Sequence, residues 1–302
     1  MCEMSLPKRA APDMRFMVLG VNGMAGHTIG LYLKRAGHDV TGLAKSDRGL
    51  VPTVIGDVQD TESLRREISR GRYDAVVNCV GILNADADRD KARACFINSL
   101  LPHLLARYAD EVGAQVVHLS TDCVFSGKRG GYTEDDLRDG LTFYDRTKAL
   151  GELEDGRHLT LRTSIVGPDM NGHGIGLLNW FMAQVGEVKG YTRAIWTGQT
   201  TLQIAKTVEY GTTRRIGGLY NIVPERAITK FDLLGLFNRY LRGGSVRVVP
   251  EDVVALDKSL IRTRRLLDCP VPDYEDMVAE MAAWIRQHRT LYPHYHLDGG
   301  LA

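Results

Sequence analysis

Short apolar runs alternate with amphipathic stretches through the first half of the chain. The apolar runs, which predict strands, lie at residues 15–19, 39–44, 74–79, 115–120 and 159–166. The stretches with helical spacing lie at residues 27–35, 61–70, 91–112 and 144–154. Continuously apolar strands that alternate with helices are typical of a parallel sheet covered on both faces. The pattern therefore predicts an α/β fold with a doubly wound parallel sheet of the Rossmann type.

The regular alternation ends near Gly167. Later candidates are a strand at 219–223, which we expect to rejoin the sheet, and helices at 230–241 and 274–288. The predicted Rossmann domain then comprises residues 14–166 and about 199–223. Residues 167–198 and 224–302 are expected to form a smaller, mixed α/β C-terminal substrate-binding lobe. Residues 1–13 lack the apolar stretch of a signal peptide and are expected to be a disordered tail.

Composition excludes several classes of partner. The 302 residues carry a formal net charge of +1, which favours neither nucleic acid nor an anionic membrane surface. No apolar run approaches the ~20 residues that span a bilayer. The five cysteines are scattered and form no C-x-x-C pair. We therefore expect a cytoplasmic location, no disulfide framework and no metal site.

A glycine-rich turn, GVNGMAG, stands between the first predicted strand and the first predicted helix. Its glycines, Gly20, Gly23 and Gly26, let the backbone turn tightly and approach a pyrophosphate. The N-terminus of the following helix supplies amide donors and a partial positive charge. The motif predicts a dinucleotide-binding site that also includes Asn22 and Met24.

The end of the second predicted strand should contact the adenosine ribose of such a dinucleotide. A carboxylate at this position favours NADH, whereas basic residues favour NADPH. Lys45, Ser46 and Arg48 follow the strand and could hold a 2′-phosphate, although Asp47 lies among them. We therefore predict NADPH as the cofactor, with NADH as the alternative.

Tyr144 and Lys148 are four residues apart in a predicted helix, so their side chains share a face. A nearby ammonium group would lower the pKa of the phenol. Such a tyrosine can protonate the alkoxide that forms when hydride reaches a carbonyl. Thr121 stands at the carboxyl end of the fourth predicted strand, where its hydroxyl could bind the same carbonyl. The three residues together predict a carbonyl reductase.

Four motifs in this order, GVNGMAG, STDCVFSG, YDRTKALGE and LRTSIVGP, resemble the dTDP-4-dehydrorhamnose reductase family of extended short-chain dehydrogenases. The resemblance covers roughly residues 14–290. It implies NADPH-dependent reduction of the 4-keto group of a nucleotide-linked 6-deoxyhexose, in the synthesis of cell-surface polysaccharide precursors. Related enzymes often dimerise, so the resemblance also suggests a homodimer.

The resemblance implies roles for individual residues. The catalytic roles fall to Thr121, Tyr144 and Lys148. The residues expected to contact the cofactor are Asp57 and Val58 near the adenine, Cys79, Val80 and Gly81 after the third strand, and Asn98 near the active site. The residues expected to contact the substrate are Thr121, Asp122, Cys123, Arg162, Thr163 and Ser164.

The chain departs from the family pattern at three places. Cys123 replaces a tyrosine, Asp145 replaces a glycine, and the segment at 195–201, IWTGQTT, replaces the family's G-x-PT segment. The substrate is therefore either similar to dTDP-4-dehydrorhamnose or a UDP-linked 2-acetamido-4-keto-6-deoxy sugar. Trp196 in the altered segment either stacks on the base or sugar or packs in the core.

Three other functions stay open at this point. A sugar-nucleotide 4,6-dehydratase would need an Asp-Glu pair after the threonine, but Cys123 follows Asp122. A bifunctional epimerase-reductase resembling GDP-fucose synthase would use Cys123 and His173 as acid and base. Some relatives are non-catalytic NADP-binding regulatory subunits, and the fold alone does not exclude that role.

Overall fold

The structure, a computed structural model, describes residues 13–297. The disordered tail predicted at residues 1–13 therefore lies, apart from Asp13, outside the described residues. Within the described range, no helix is both long enough and apolar enough to cross a membrane.

A seven-stranded parallel sheet forms the centre of the molecule. Its first six strands are β1 (Arg15–Leu19), β2 (Asp39–Ala44), β3 (Thr53–Ile55), β4 (Ala75–Asn78), β5 (Gln115–Ser120) and β6 (Leu159–Arg162). Four short strands follow outside this sheet, β7 (Ser164–Val166), β8 (Glu187–Tyr191), β9 (Ala194–Trp196) and β10 (Gly198–Thr200), before β11 (Gly218–Asn221) returns to it. The order is β3-β2-β1-β4-β5-β6-β11, and every neighbouring pair is parallel. The prediction of a doubly wound Rossmann sheet is confirmed, including the return of the late strand.

Helices cover both faces of this sheet. The α-helices of residues 13–297 are, in chain order, α1 (Met24–Arg35), α2 (Thr61–Gly71), α3 (Asn84–Arg89), α4 (Lys91–Ala94), α5 (Leu101–Val112), α6 (Phe143–Leu150), α7 (Leu177–Met182), α8 (Thr201–Thr213), α9 (Lys230–Leu241) and α10 (Tyr274–Gln287). One face of the sheet packs α1 and α8 through side chains such as Ile29 and Ile204. The other face packs α2 and α5 through side chains such as Leu64 and Leu105. These side chains are almost fully buried, so the sheet is a close-packed platform for the loops at its ends.

The predicted helix at 91–112 contains a wider turn. Residues Cys95–Leu100 form a π-helical segment between α4 and α5, in which the N–H of Leu101 donates to the carbonyl oxygen of Phe96. Pro102, at the start of α5, has no N–H and cannot donate to the carbonyl of Asn98 four residues earlier. The proline accounts for the irregular turn, and this turn carries Asn98.

The predicted strand at 159–166 is two strands. β6 ends at Arg162, and β7 leaves the central sheet because it pairs with β10 in a separate two-stranded sheet. The predicted helix at 144–154 is also shorter, because α6 ends at Leu150 with Gly151 as its C-cap. Both breaks lie beside the end of the central sheet at which the candidate site forms.

A second hydrophobic core lies beside the sheet and packs α7, α9 and α10. In the strands around it, β13 (Arg247–Glu251) pairs with β8, while β12 (Ile228–Thr229) and β14 (Leu256–Asp257) flank β9. Phe181, Phe237 and Met281 are fully buried in this core, which also includes Tyr292 and Tyr295. The residue boundaries given above for the two domains stay a prediction.

Candidate functional site

A cleft of about 470 Å³ opens at the carboxyl ends of the central strands, where β1 and β4 lie side by side. The strand order reverses here, because β2 and β3 lie on one side of β1 while β4, β5 and β6 lie on the other. Ligands of open α/β sheets bind in such crevices. The predicted site residues that line it include Gly23, Met24, Cys79, Val80, Gly81, Thr121, Asp122, Cys123, Tyr144, Lys148, Thr163 and Ser164.

The glycine-rich turn has a backbone that fits only small residues. Gly20 has a φ of +75°, and its N–H donates to the carbonyl oxygen of Leu43 at 2.9 Å. A Cβ atom at Gly26 would overlap the carbonyl oxygen of Gly20. The first turn of α1 contains no acidic side chain, so no carboxylate competes for its amide groups and partial positive charge. This turn fits a pyrophosphate group.

Basic and hydroxyl side chains lie at the end of β2. The exposed residues there include Lys45, Ser46 and Arg48. The side-chain amide of Asn22 holds this loop by donating to the carbonyl oxygen of Ser46 at 2.7 Å. Asp57 Oδ2 lies 2.9 Å from Lys45 Nζ, and the hydrogen bond from Lys45 lowers the pKa of Asp57. Val58 was expected to contact the cofactor, but its side chain is buried in the core on the α2 side of the sheet.

The loop after β4 forms one wall of the cleft. Burial raises the pKa of the Cys79 thiol in this wall to about 12, so the thiol is neutral. Asn98, expected near the cofactor, is not one of the residues that line the cleft. Its side-chain amide instead donates to the carbonyl of Ile82 and accepts from the N–H of Ile82, both at 2.9 Å. Asn98 therefore supports the loop from behind, because the π-helical turn directs its side chain there.

Thr121 and Tyr144 converge at the end of β5. Thr121 precedes a short 3₁₀ helix, Asp122–Val124, and its Oγ1 donates to Asp122 Oδ1 at 3.0 Å. The same oxygen accepts from the N–H of Cys123 at 3.1 Å. Tyr144 is 8% exposed, and burial raises the pKa of its phenol, although a hydrogen bond with Thr121 opposes the rise. Tyr144 is therefore a neutral phenol that lines the same cleft as Thr121.

Lys148 lines the same cleft, but its amine binds the backbone of β5. Its Nζ lies 2.8 Å from the carbonyl oxygen of Leu119 and 3.3 Å from Nε2 of His118. Burial lowers the pKa of Lys148 to about 8, while the charge of Glu152 opposes that shift. The expected lowering of the Tyr144 pKa by Lys148 stays a prediction, because burial raises that pKa in this structure and the Lys148 amine binds His118 and the backbone of β5.

Arg162 was expected to contact the substrate, but it lies fully buried beneath the cleft. Its guanidinium donates to both carboxylate oxygens of Glu152, at 2.9 and 2.7 Å. Glu152 also accepts from Ser120 Oγ at 2.6 Å, next to Thr121 in the sequence. Arg162 is therefore not one of the residues that line the cleft, because Glu152 and the side-chain oxygen of Asn221 accept from its guanidinium. Its expected contact with the substrate stays a prediction. Thr163 and Ser164, its neighbours in the sequence, do line the cleft.

Trp196 lies in the second hydrophobic core. It is 6% exposed, and the centroid of its ring is 5.6 Å from that of Tyr274. Its Nε1 donates to Ser164 Oγ at 2.8 Å. Of the two roles considered from the sequence, the structure supports the core position over stacking on a substrate. Trp196 thus contacts Ser164, a residue that lines the cleft.

The fold and the cleft agree with one protein family. Residues 14–185, more than half of the chain, match the family model described as the RmlD substrate binding domain. The chain belongs to this family.

Named relatives of the chain differ in how much of it they match. It is 31% identical to the spore coat polysaccharide biosynthesis protein SpsK of Bacillus subtilis over 187 residues, 60% of this chain and 62% of SpsK. It is 27% identical to the probable low-salt glycan biosynthesis reductase Agl14 of Haloferax volcanii over 296 residues, 89% of this chain and 98% of Agl14. It is 31% identical to a dTDP-4-dehydrorhamnose reductase of Mycolicibacterium smegmatis over 151 residues, 48% of this chain and 43% of that enzyme. The chain thus spans less than two thirds of SpsK and less than half of the mycobacterial reductase.

Several solved structures share the fold of this chain. A dTDP-4-dehydrorhamnose reductase from Bacillus anthracis, solved in complex with NADP, has a TM-score of 0.77 at 18% identity and covers 90% of this chain and 100% of its own. A UDP-glucose 4-epimerase from Thermotoga maritima has a TM-score of 0.74 at 17% identity and covers 91% of this chain and 100% of its own. Because a reductase and an epimerase fit about equally well, the similarity establishes the fold and not the reaction.

The structure does not bring together the two residues that an epimerase-reductase of this family would use. Cys123 lines the cleft, and burial, followed by the charge of Asp122, raises the pKa of its thiol to about 12. His173 is exposed in the loop after β7 and is not one of the residues that line the described cleft. A thiol that stays protonated can give a proton but cannot remove one.

The C-terminal segment supports the cleft through residues that the sequence did not single out. His27 on α1 donates from Nδ1 to the carbonyl oxygen of Gly23 at 2.8 Å, and its Nε2 lies 2.8 Å from the hydroxyl of Tyr292. The hydroxyl of Tyr295 accepts from the N–H of Asp169, another residue of the cleft, at 3.0 Å. The segment thus holds both the glycine-rich turn and the loop after β7. No local pattern could indicate these contacts, because His27 and Tyr292 are 265 residues apart.

Proposed function

We propose that this chain is an NADPH-dependent reductase of the 4-keto group of a nucleotide-linked 6-deoxyhexose. The observation that carries the proposal is the convergence of Thr121, Tyr144 and Lys148 on one cleft with the glycine-rich turn. Membership of the RmlD family and the names of two reductase relatives support the same class of reaction.

NADPH would supply the hydride in this reaction. The glycine-rich turn and the first amides of α1 would hold its pyrophosphate. Lys45, Ser46 and Arg48 would hold its 2′-phosphate, since they place hydroxyl and cationic donors on the surface at the end of β2. NADH stays the alternative, because Asp57 already pairs with Lys45. The NADP in the structure of the B. anthracis reductase supports the first choice.

The side chains of the cleft would polarise and protonate the ketone. Thr121 and Tyr144 line the same cleft, where both hydroxyls would bind one ketone oxygen. Because its pKa is raised, the phenol of Tyr144 is protonated at neutral pH and can give its proton to the alkoxide oxygen. Ile165 and Ile175 line the same cleft, and their apolar side chains would exclude water from the reacting carbon.

Two classes of nucleotide sugar fit the proposal. A dTDP-4-dehydrorhamnose-like substrate agrees with the names of several relatives. A UDP-linked 2-acetamido-4-keto-6-deoxy sugar agrees with the replacement of the family's tyrosine by Cys123 in the wall of the cleft. In either case the product would serve cell-surface polysaccharide synthesis, as the names of SpsK and Agl14 support.

A homodimer is a further part of the proposal. Leu100 on the π-helical segment and Leu150 on α6 are 48% and 68% exposed, which gives these helices an apolar outer surface. Sedimentation equilibrium should find two chains per particle, and a single chain per particle at micromolar concentration would contradict the dimer.

The test is NADPH oxidation by the purified full-length chain with a panel of dTDP-, UDP- and GDP-linked 4-keto-6-deoxy sugars. We expect oxidation with a dTDP- or UDP-linked member. Binding of NADPH without oxidation by any member would favour the regulatory subunit instead. Incorporation of solvent deuterium at C3 or C5 of the product would favour the epimerase-reductase.

A further inference from the structure

His118 is a fully buried histidine behind Lys148 that the proposed reaction does not use. It lies on β5, two residues before Ser120, and its Nε2 is 3.3 Å from Lys148 Nζ. Its Nδ1 is 3.2 Å from the side-chain Nδ2 of Asn78, its neighbour on β4. The three side chains form one buried polar row, and both Lys148 and Asn78 line the cleft.

A backbone amide fixes the direction of the hydrogen bonds in this row. The N–H of Val80 lies 3.2 Å from Asn78 Oδ1, and a backbone N–H can only donate. The oxygen of the Asn78 amide must therefore face Val80, and its NH₂ group must face His118. Nδ1 of His118 then accepts, so a neutral imidazole carries its one proton on Nε2.

The proton on Nε2 points at Lys148. An ammonium group only donates, so in the charged form of Lys148 two donors face each other across 3.3 Å. A neutral amine has a lone pair and can accept from the same N–H. The second partner of Lys148, the carbonyl oxygen of Leu119 at 2.8 Å, can accept from either form. Protonation of the amine is therefore opposed by the orientation of His118.

Other titratable groups lie around the row or the cleft beside it. Glu152 favours the ammonium of Lys148 through its charge, but no ion pair joins Lys148 to a carboxylate among residues 13–297. Burial, the charge of Lys148 and the charge of His103 on α5 all lower the pKa of His118 and keep its imidazole neutral. The charge of Asp122 raises the pKa of Tyr144, and both residues line the cleft.

We propose that His118, oriented by Asn78, is a positioning residue that donates its Nε2–H to the amine form of Lys148 and so makes Lys148 a proton-exchanging group instead of a permanent cation. Its consequence for turnover rests on the proposed reductase function. Once Tyr144 has given its proton to the product, an N–H bond of the Lys148 ammonium breaks, and its proton returns to the phenolate oxygen through water in the cleft that both side chains line. The amine left behind accepts from His118, and a proton taken up from bulk solvent then restores the ammonium, so each turnover consumes one solvent proton.

The first experiment measures the tautomer of His118 in the full-length protein without any ligand. Nitrogen NMR of the ¹⁵N-histidine-labelled chain at neutral pH distinguishes a protonated from an unprotonated ring nitrogen, and His118→Gln assigns the signal by its loss. We expect the proton on Nε2 and none on Nδ1. A proton on Nδ1, or on both nitrogens, would overturn the proposal.

The second experiment reverses the tautomer. In Asn78→Asp the carboxylate has no N–H to donate and can only accept. The proton of His118 should therefore move to Nδ1 and donate to the carboxylate, which leaves Nε2 free to accept from the ammonium of Lys148. We expect the pKa of Lys148, read by mass spectrometry from the pH dependence of its acetylation, to rise by at least about one unit. The new charge alone also raises this pKa, so Asn78→Asp is repeated with His118→Leu, where no tautomer can change.

The quantity compared is the increase in the protonation constant of Lys148 that Asn78→Asp causes. If this increase is at least about tenfold larger with His118 than with His118→Leu, the tautomer switch is supported, and equal increases overturn it. His158→Gln is the matched control, because His158 is also fully buried and accepts at Nδ1 from the N–H of Val116 at 3.1 Å. It should leave the pKa of Lys148 unchanged. Should His118→Leu not fold, the tautomer of the unmutated chain still decides. A chain that has the Nε2–H tautomer but reduces no nucleotide sugar would refute only the proposed function.

Discussion

Replacing Arg162 with Met removes one half of a buried ion pair beneath the cleft. Both side chains of the Arg162–Glu152 pair are 0% exposed, so the variant leaves a buried carboxylate without its main partner. Loss of one partner of a buried pair costs about 3–5 kcal/mol. Ser120 and Arg138 still donate to Glu152, so we expect the lower end of this range, about 3 kcal/mol.

This free energy converts to a measurable change in melting temperature. At roughly 2.1 cal/mol/K per residue, the 302 residues unfold with an entropy of about 0.6 kcal/mol/K. A loss of about 3 kcal/mol therefore lowers Tm by about 5 °C. Thermal unfolding followed by circular dichroism at pH 7 measures this difference.

The matched control for Arg162→Met is Arg65→Met. Arg65 pairs with Glu111 at 2.9 Å on the surface, where the two side chains are 48% and 34% exposed. Loss of a surface pair costs little stability, so Tm should fall clearly less than in Arg162→Met. Equal changes in Tm for the two variants would refute the reasoning about burial.

The same ion pair predicts a dependence of stability on pH. Burial raises the pKa of Glu152, but the hydrogen bonds and charge of Arg162 outweigh it and hold this pKa below the ordinary value of 4.5. A carboxyl with a lowered folded pKa contributes stability above its unfolded pKa and loses it as pH falls through the folded value. The difference in Tm between the unmutated chain and Arg162→Met should therefore narrow below about pH 4.5. A difference that stays constant down to acid unfolding would contradict this assignment.

Three further variants test the cleft itself. Tyr144→Phe should lower kcat by at least ~100-fold with little change in NADPH affinity, because it removes the proton donor, and near-normal turnover would contradict that role. Lys45→Ala with Arg48→Ala should lower the ratio of kcat/KM for NADPH to that for NADH at least about tenfold, because both donors to the 2′-phosphate are lost, whereas an unchanged ratio would place the phosphate elsewhere. Gly26→Ala should abolish NADPH binding measured by fluorescence, because the new Cβ would overlap the carbonyl oxygen of Gly20, and an unchanged Kd would contradict the tight turn.

Each of these variants has a matched control in the chain. Tyr73→Phe removes a buried hydroxyl that donates to Glu67 at 2.8 Å, outside the residues that line the cleft. Arg247→Ala removes the cation of a side chain on β13 that is 77% exposed. Gly235→Ala adds a methyl group to α9 where no atom lies within 4 Å. All three should keep the kcat and the cofactor preference of the unmutated chain.

The central sheet could be predicted because its strands are buried on both faces and therefore read as continuous apolar runs. The same reasoning failed at 159–166, where one apolar run forms both β6 and β7. The break depends on pairing with β10, which lies more than thirty residues later in the sequence, and a local pattern cannot specify that partner. Pro102 was visible in the sequence, but the wider turn at Asn98 follows only from the hydrogen bond that the proline cannot make.

The chemical groups of the candidate site were easier to predict than their directions. Motif order and spacing identified Thr121, Tyr144 and Lys148, and the structure places all three in one cleft. The direction of Lys148 depends on His118 and on a backbone carbonyl, which spacing does not reveal. The family resemblance assigned Arg162 to the substrate, and the sequence does not show that a buried carboxylate, Glu152, binds it.

The hydrogen bond between His27 and Tyr292 also bears on synthesis of the chain. A ribosome adds about 5–20 residues per second, so roughly 13–53 s pass between these two residues, which are 265 positions apart. During that interval the imidazole beneath the glycine-rich turn lacks its phenol partner. The nascent protein therefore cannot form this contact beneath its glycine-rich turn until Tyr292 has left the ribosome.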